Sequence, residues 1–136
     1  MRETLTAPAF RKVANNLHKA LLEADDRARK EIRGYTGHQF RSMLAERHGY
    51  HVAKELLRRL PSGRVQSGFA DLIVAGRPDL TMEAVVLERR WSRLFNQHEI
   101  AEATRRFRLV GYNVSYLLTP GEVTLVIKRD RPLAAA

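Results

Sequence analysis

The residues with the plainest chemistry are cationic and sit close together. Lys54, Arg58 and Arg59 share one stretch, Arg64 follows the Pro61-Ser62-Gly63 turn, and Arg41 stands on the helical stretch before them. A guanidinium presents a planar fork that grips a pair of phosphate oxygens, so these five residues are the expected contacts to a phosphate polymer. The other candidate groups fit other chemistry poorly. His18, His38, His48, His51 and His98 show no His-Glu-x-x-His spacing, and there is no cysteine, so they read as cap or surface histidines and no metal site is expected. Gly49 stands between His48 and His51 and interrupts a shared helix face. No Walker loop, Gly-x-Gly-x-x-Gly string or nucleophile elbow occurs, and no cofactor is expected.

One pair of carboxylates deserves a separate test. Pro78-Asp79, followed after a spacer by Glu88-Arg89-Arg90, approximates a Pro-Asp, spacer, Glu-x-Lys arrangement in which two carboxylates hold a divalent metal that activates water. Two features argue against it. Arg90 replaces the lysine and cannot readily give up a proton, and the segment reads as helix where that chemistry needs a strand.

The elements that position these groups follow from periodicity. Thr6 precedes a stretch with Phe10, Val13, Ala14, Leu17, Ala20, Leu21 and Ala24 on one helical face, with Pro8 in the first turn and Gly34 as a stop. Its outer residues Lys12, Asn15, Lys19, Glu23, Asp26, Arg27 and Lys30 include Glu23–Arg27 and Asp26–Lys30 pairs at i, i+4, which reads as a solvated face rather than a phosphate-tracking stripe. Thr36 is the expected cap of a second helix carrying Phe40, Met43 and Leu44 and ended by Gly49. A third carries Val52, Ala53, Leu56, Leu57 and Leu60. Two helices with a Gly-containing turn are compatible with a helix-turn-helix, but no base-reading recognition helix can be picked out.

From Ser67 a short helix closes at Gly76, Arg77-Pro78-Asp79-Leu80 connects, and Thr81 caps a helix whose apolar side continues to Trp91, Leu94 and Phe95. Asn96 and Glu99 match a capping box ahead of a helix ending at Gly111. After Tyr112 the period changes to two: Val114, Tyr116 and Leu118, a Pro120-Gly121 turn, then Val123, Leu125 and Ile127. The expected class is α+β, mainly α-helical with about six helices over 6–110, a C-terminal β-hairpin over 113–129 and a frayed tail over 131–136, all in one domain.

Residues 49 to 107 resemble a widespread uncharacterised bacterial helical domain. The matching residues are Gly68-Phe69, the string Gly76-Arg77-Pro78-Asp79-Leu80-Thr81-Met82-Glu83-Ala84-Val85-Val86-Leu87, Leu94-Phe95 and Glu99, with Gly49, Ala53, Lys54, Leu56 and Leu57 upstream. Ile73 and Pro78 depart from the pattern without harm to a helical scaffold. The resemblance implies a helical fold, a bacterial or phage origin and a setting among DNA-associated proteins, but no known chemistry. The string also explains itself physically: Asp79 and Thr81 can bond amides at the next helix start, and Arg77 can pair with Asp79 or Glu83.

Composition bounds the rest. The chain has 136 residues, 44% hydrophobic, enough for one sizeable core, and carries 24 Lys+Arg against 15 Asp+Glu, a net +9. Residues 1 to 68 hold 14 basic and 7 acidic residues, so the field is concentrated in the first half. A long-range positive field of this kind attracts phosphate polymers. No secretory signal or membrane-spanning run is visible, and the absence of cysteine fits the cytoplasm. The expected function is a non-catalytic nucleic-acid-binding or adaptor module, DNA favoured over RNA. The alternative is a protein-interaction subunit or homodimer using the hairpin edge or the Trp91 surface; a metal-dependent nuclease ranks below both.

Overall fold

A computed structural model describes residues 6–58, 67–113 and 128–129. Among the described residues six α-helices carry the fold: α1 Ala7–Glu31, α2 His38–Glu46, α3 Gly49–Leu56, α4 Ser67–Val74, α5 Met82–Val86 and α6 Gln97–Leu109. Two 3-10 turns, Pro78–Leu80 and Arg89–Trp91, stand before and after α5.

Local signals set several boundaries where expected. The Thr6 hydroxyl accepts the Ala9 amide at 3.3 Å, and Pro8 occupies the first turn of α1, where its missing donor costs nothing. Asn96 and Glu99 form a complete capping box: Asn96 Oδ1 accepts the Glu99 amide at 2.9 Å, and the Glu99 carboxylate accepts the Asn96 amide at 2.8 Å. Thr81 caps α5 by accepting the Ala84 amide at 3.0 Å while its hydroxyl donates to the Pro78 carbonyl at 2.8 Å.

Other boundaries move. α2 starts from Gly37, at φ +56°, and not from Thr36. A β-carbon at Gly37 would come within 2.9 Å of both Asp25 Oδ1 and the Tyr35 hydroxyl, so close packing on α1 fixes this start. Gly49 opens α3 instead of closing α2. α5 stops at Val86, and the chain reaches Trp91 through a 3-10 turn, not a continued helix.

The core is one helical interior. Leu17 and Leu21 of α1, Val52 and Ala53 of α3, Phe69 of α4, Val86 of α5 and Phe107 of α6 are all buried in it, with Trp91, Leu94 and Phe95. Full burial of such side chains contributes about 1.5–3 kcal/mol each before entropy is subtracted. Trp91 is only 2% exposed, so the surface once expected of it is interior.

The α+β expectation is corrected to a mainly α-helical class. Among the described residues the strand pairing is limited to Tyr112–Asn113 against Lys128–Arg129, antiparallel, two residues on each side. That is no sheet layer. The rest of the expected hairpin over 113–129, and the tail over 131–136, lie outside the described residues. The physical reason is that, among the described residues, the core is drawn mainly from the helices and the 3-10 turns, with Tyr112 the one strand residue that joins it, packed edge-on to Phe107 at 6.4 Å. Among the described residues, no helix is long and apolar enough to cross a membrane.

Candidate functional site

The five expected phosphate contacts meet different fates. Arg41 on α2 donates Nε to Asp25 Oδ2 at 2.7 Å and pairs through Nη2 with Asp26, both on α1. Lys54 on α3 donates to Glu99 Oε1 at 2.7 Å and lies over the rings of Tyr50 and Phe95. Both cations are thus closed on carboxylates and act as ties between helices. Arg58 is exposed just beyond α3, and its carbonyl accepts from Arg106 at 3.3 Å. Arg59 and Arg64 lie outside the described residues.

The string from Gly76 is likewise occupied with structure. Arg77 forms a fork on Asp79, with Nε to Oδ1 at 3.2 Å and Nη2 to Oδ2 at 3.0 Å, and reaches Glu31 of α1 at 2.8 Å. Its hydrogen bonds to Asp79 and Glu31 hold the Arg77 guanidinium firmly charged. Glu88 accepts from Arg90 at 2.7 Å, while burial pushes its carboxyl up. Between Asp79 and Glu88 the backbone is helical over Met82–Val86, the conformation that the paired-carboxylate arrangement does not use. Among the described residues no group of three or more His, Cys, Asp or Glu side chains is placed to hold a metal.

Glu83 and Arg106 form a buried ion pair that sequence reasoning missed. Arg106 is fully buried and donates to Glu83 at 2.6 Å, to Glu102 at 2.7 Å and to the Leu56 carbonyl at 2.6 Å. One guanidinium therefore joins α6, α5 and the end of α3. Burial pushes the Glu83 carboxyl upward against the pull of Arg106, whereas hydrogen bonds from Arg105 and Arg106 outweigh burial and hold Glu102 low. Asp25 is a second buried anchor, with Oδ2 taking Arg29 Nε at 2.9 Å as well as Arg41. Beside it a crevice of about 270 Å³ is lined mainly by apolar side chains, including Leu21, Phe40, Phe69 and Met82.

Lys30, Arg33, Arg58 and Arg108 are exposed and take part in no ion pair among the described residues, and three further cations of this kind cluster on the first half of α1. Arg11, Lys12 and Lys19 are exposed and take part in no ion pair among the described residues, and exposed Asn15 and Asn16 stand between them. At 100° per residue these five positions span roughly 140° of the helix circumference, opposite the buried Ala14, Leu17 and Leu21. The expected Glu23–Arg27 and Asp26–Lys30 pairs give way to other partners in the second half of the helix: Arg27 pairs with Glu31, and Asp26 is taken by Arg41. The face borders a groove of about 360 Å³ whose walls include Asn16, Lys19, Glu23 and Arg90, with Trp91 beneath. Arg90 stacks on that indole at 4.5 Å. The signal for this face was present in the sequence as a run with no acid between Arg11 and Lys19, but averaging over all of α1 concealed it.

No family model, curated protein or solved structure matches the chain.

Proposed function

We propose that the protein is a non-catalytic module that binds nucleic acid through the phosphate backbone, using the N-terminal face of α1. The observation that carries this reading is the set of Arg11, Lys12 and Lys19, uncompensated on one helical face, in a chain of net charge +9. Surface cations that are not already paired can release counterions from a polyanion; Arg41 and Lys54, held by Asp25 and Glu99, would first have to break an ion pair. Asn15 and Asn16 add amide donors at the same spacing. Arg58, Arg59 and Arg64 form a second, smaller contribution.

Fluorescence anisotropy with duplex and single-stranded probes tests the reading. Binding is expected at low salt and should weaken by about 10-fold or more between 50 and 200 mM salt for three phosphate contacts or above. No binding to either probe at low salt contradicts it. Persistence of binding in the triple alanine variant of Arg58, Arg59 and Arg64, with loss in that of Arg11, Lys12 and Lys19, assigns the dominant face to α1.

A further inference from the structure

The start of α3 is held against α1 in an unusual way, by two imidazole rings. The Gly49 amide donates to His18 Nδ1 at 2.8 Å, and the Tyr50 amide donates to His48 Nδ1 at 3.1 Å. A ring nitrogen that accepts an N–H must carry a lone pair, so both rings are neutral here with the proton on Nε2. His48 Nε2 faces Asn15 Oδ1 at 2.9 Å, an acceptor that suits a proton on Nε2. Three atoms of His48 and Asn15 thus join the cap of α3 to the surface of α1.

We propose that His18 and His48 form an acid-operated latch: neutral, they accept the first two amides of α3 and hold its end on α1, and on protonation they release it. An imidazolium has two donors and no acceptor, so one proton on each ring turns both contacts into donor against donor. The charge would also sit at the positive end of the α3 dipole. The two ring centroids are 5.1 Å apart, and His51 lies 6.5 Å from His48, so each added charge opposes the next.

The surroundings give little relief. Burial lowers the pKa of His48, and His18 from α1 and His51 from α3 lower it further. From the end of α2, Arg47 is paired with Glu55 of α3, and Glu46 is exposed. Lys19 of α1 follows His18 and adds positive charge to that helix. There is no slack to absorb a broken contact either: a β-carbon at Gly49 would lie 2.9 Å from His18 Nδ1 and 3.1 Å from its Cα. Release therefore opens the packing of Val52 and Ala53 against α1, where they are fully buried.

Amide hydrogen exchange at Gly49 to Val52, corrected for the intrinsic pH dependence, tests the latch. Protection in the wild-type protein should fall by roughly tenfold or more between pH 7.5 and pH 5, ahead of the α6 amides. The double variant H18N/H48N replaces each Nδ1 with an amide oxygen that accepts but does not titrate, and its protection should stay flat. Unchanged wild-type protection down to pH 5, or an equally steep fall in the double variant, overturns the proposal. Should that variant fail to fold, nitrogen-15 spectra of the wild-type imidazoles decide. Nε2–H tautomers on both rings at pH 7.5 support the latch, and an Nδ1–H tautomer or an imidazolium on either contradicts it.

Discussion

Arg106 ties α6 to α5 and to the end of α3 through one buried guanidinium. A guanidinium with no solvent exposure is tolerable only because Glu83, Glu102 and the Leu56 carbonyl take its donors. Removing it leaves Glu83 charged and buried, or forces that carboxyl to take up a proton. Arg106→Ala is therefore expected to cost about 3–5 kcal/mol, read as a lowered urea midpoint. The double variant E83L/R106M, which removes charge from both sides of the contact, should recover a substantial part of that loss. A double variant as unstable as Arg106→Ala would place the cost in lost packing and not in the orphaned carboxylate. The sequence held a clue in that Arg106 lies three residues after Ala103 on the apolar side of α6. Glu102 is an i, i+4 partner within reach of a local pattern, but Glu83 and Leu56 come from 23 and 50 positions away, and no local pattern reports such partners.

At the scale of single elements, legibility followed the range of the interaction. Thr6, Thr81 and Asn96 cap their helices through bonds spanning three residues, and each was readable from residue type and spacing. Asn96→Ala should lower stability by about 1 kcal/mol, and Thr81→Ala by up to about 2 because its hydroxyl is buried, both measured by thermal unfolding. α2 and α3 were misplaced because their starts are set from outside. Gly37 is pressed against Asp25, and His48 and His18 share the capping of α3 across 31 residues. The period-two pattern beyond Tyr112 misled in the opposite sense: it was real in the sequence, while the described strands amount to two residues each. The ion pairs of two candidate cations were illegible for a related reason. Arg41 and Lys54 looked free because the carboxylates that hold them, Asp25, Asp26 and Glu99, are 15 to 45 residues distant in the chain.

The whole molecule combines a helical interior tied by buried ion pairs with a positive field that those ties only partly cancel. Its stability should depend on pH in a definite direction. The folded-state pKa of His48 is depressed, so the unfolded chain takes up that proton first, and the stabilisation is complete above the ordinary imidazole pKa and lost as pH falls below about 6.5. The unfolding midpoint should therefore drop between pH 7.5 and pH 5, and H48N should flatten that part of the profile. Replacement of Arg11, Lys12 and Lys19 should move the unfolding midpoint little, since each is exposed. The most direct measurement is consequently the logarithmic salt dependence of DNA affinity for the wild-type chain and for the folded R11A/K12A/K19A variant. Loss of three phosphate contacts should weaken binding and make the slope shallower by about 2 to 3; an unchanged affinity and slope in that variant would contradict a nucleic-acid face on α1.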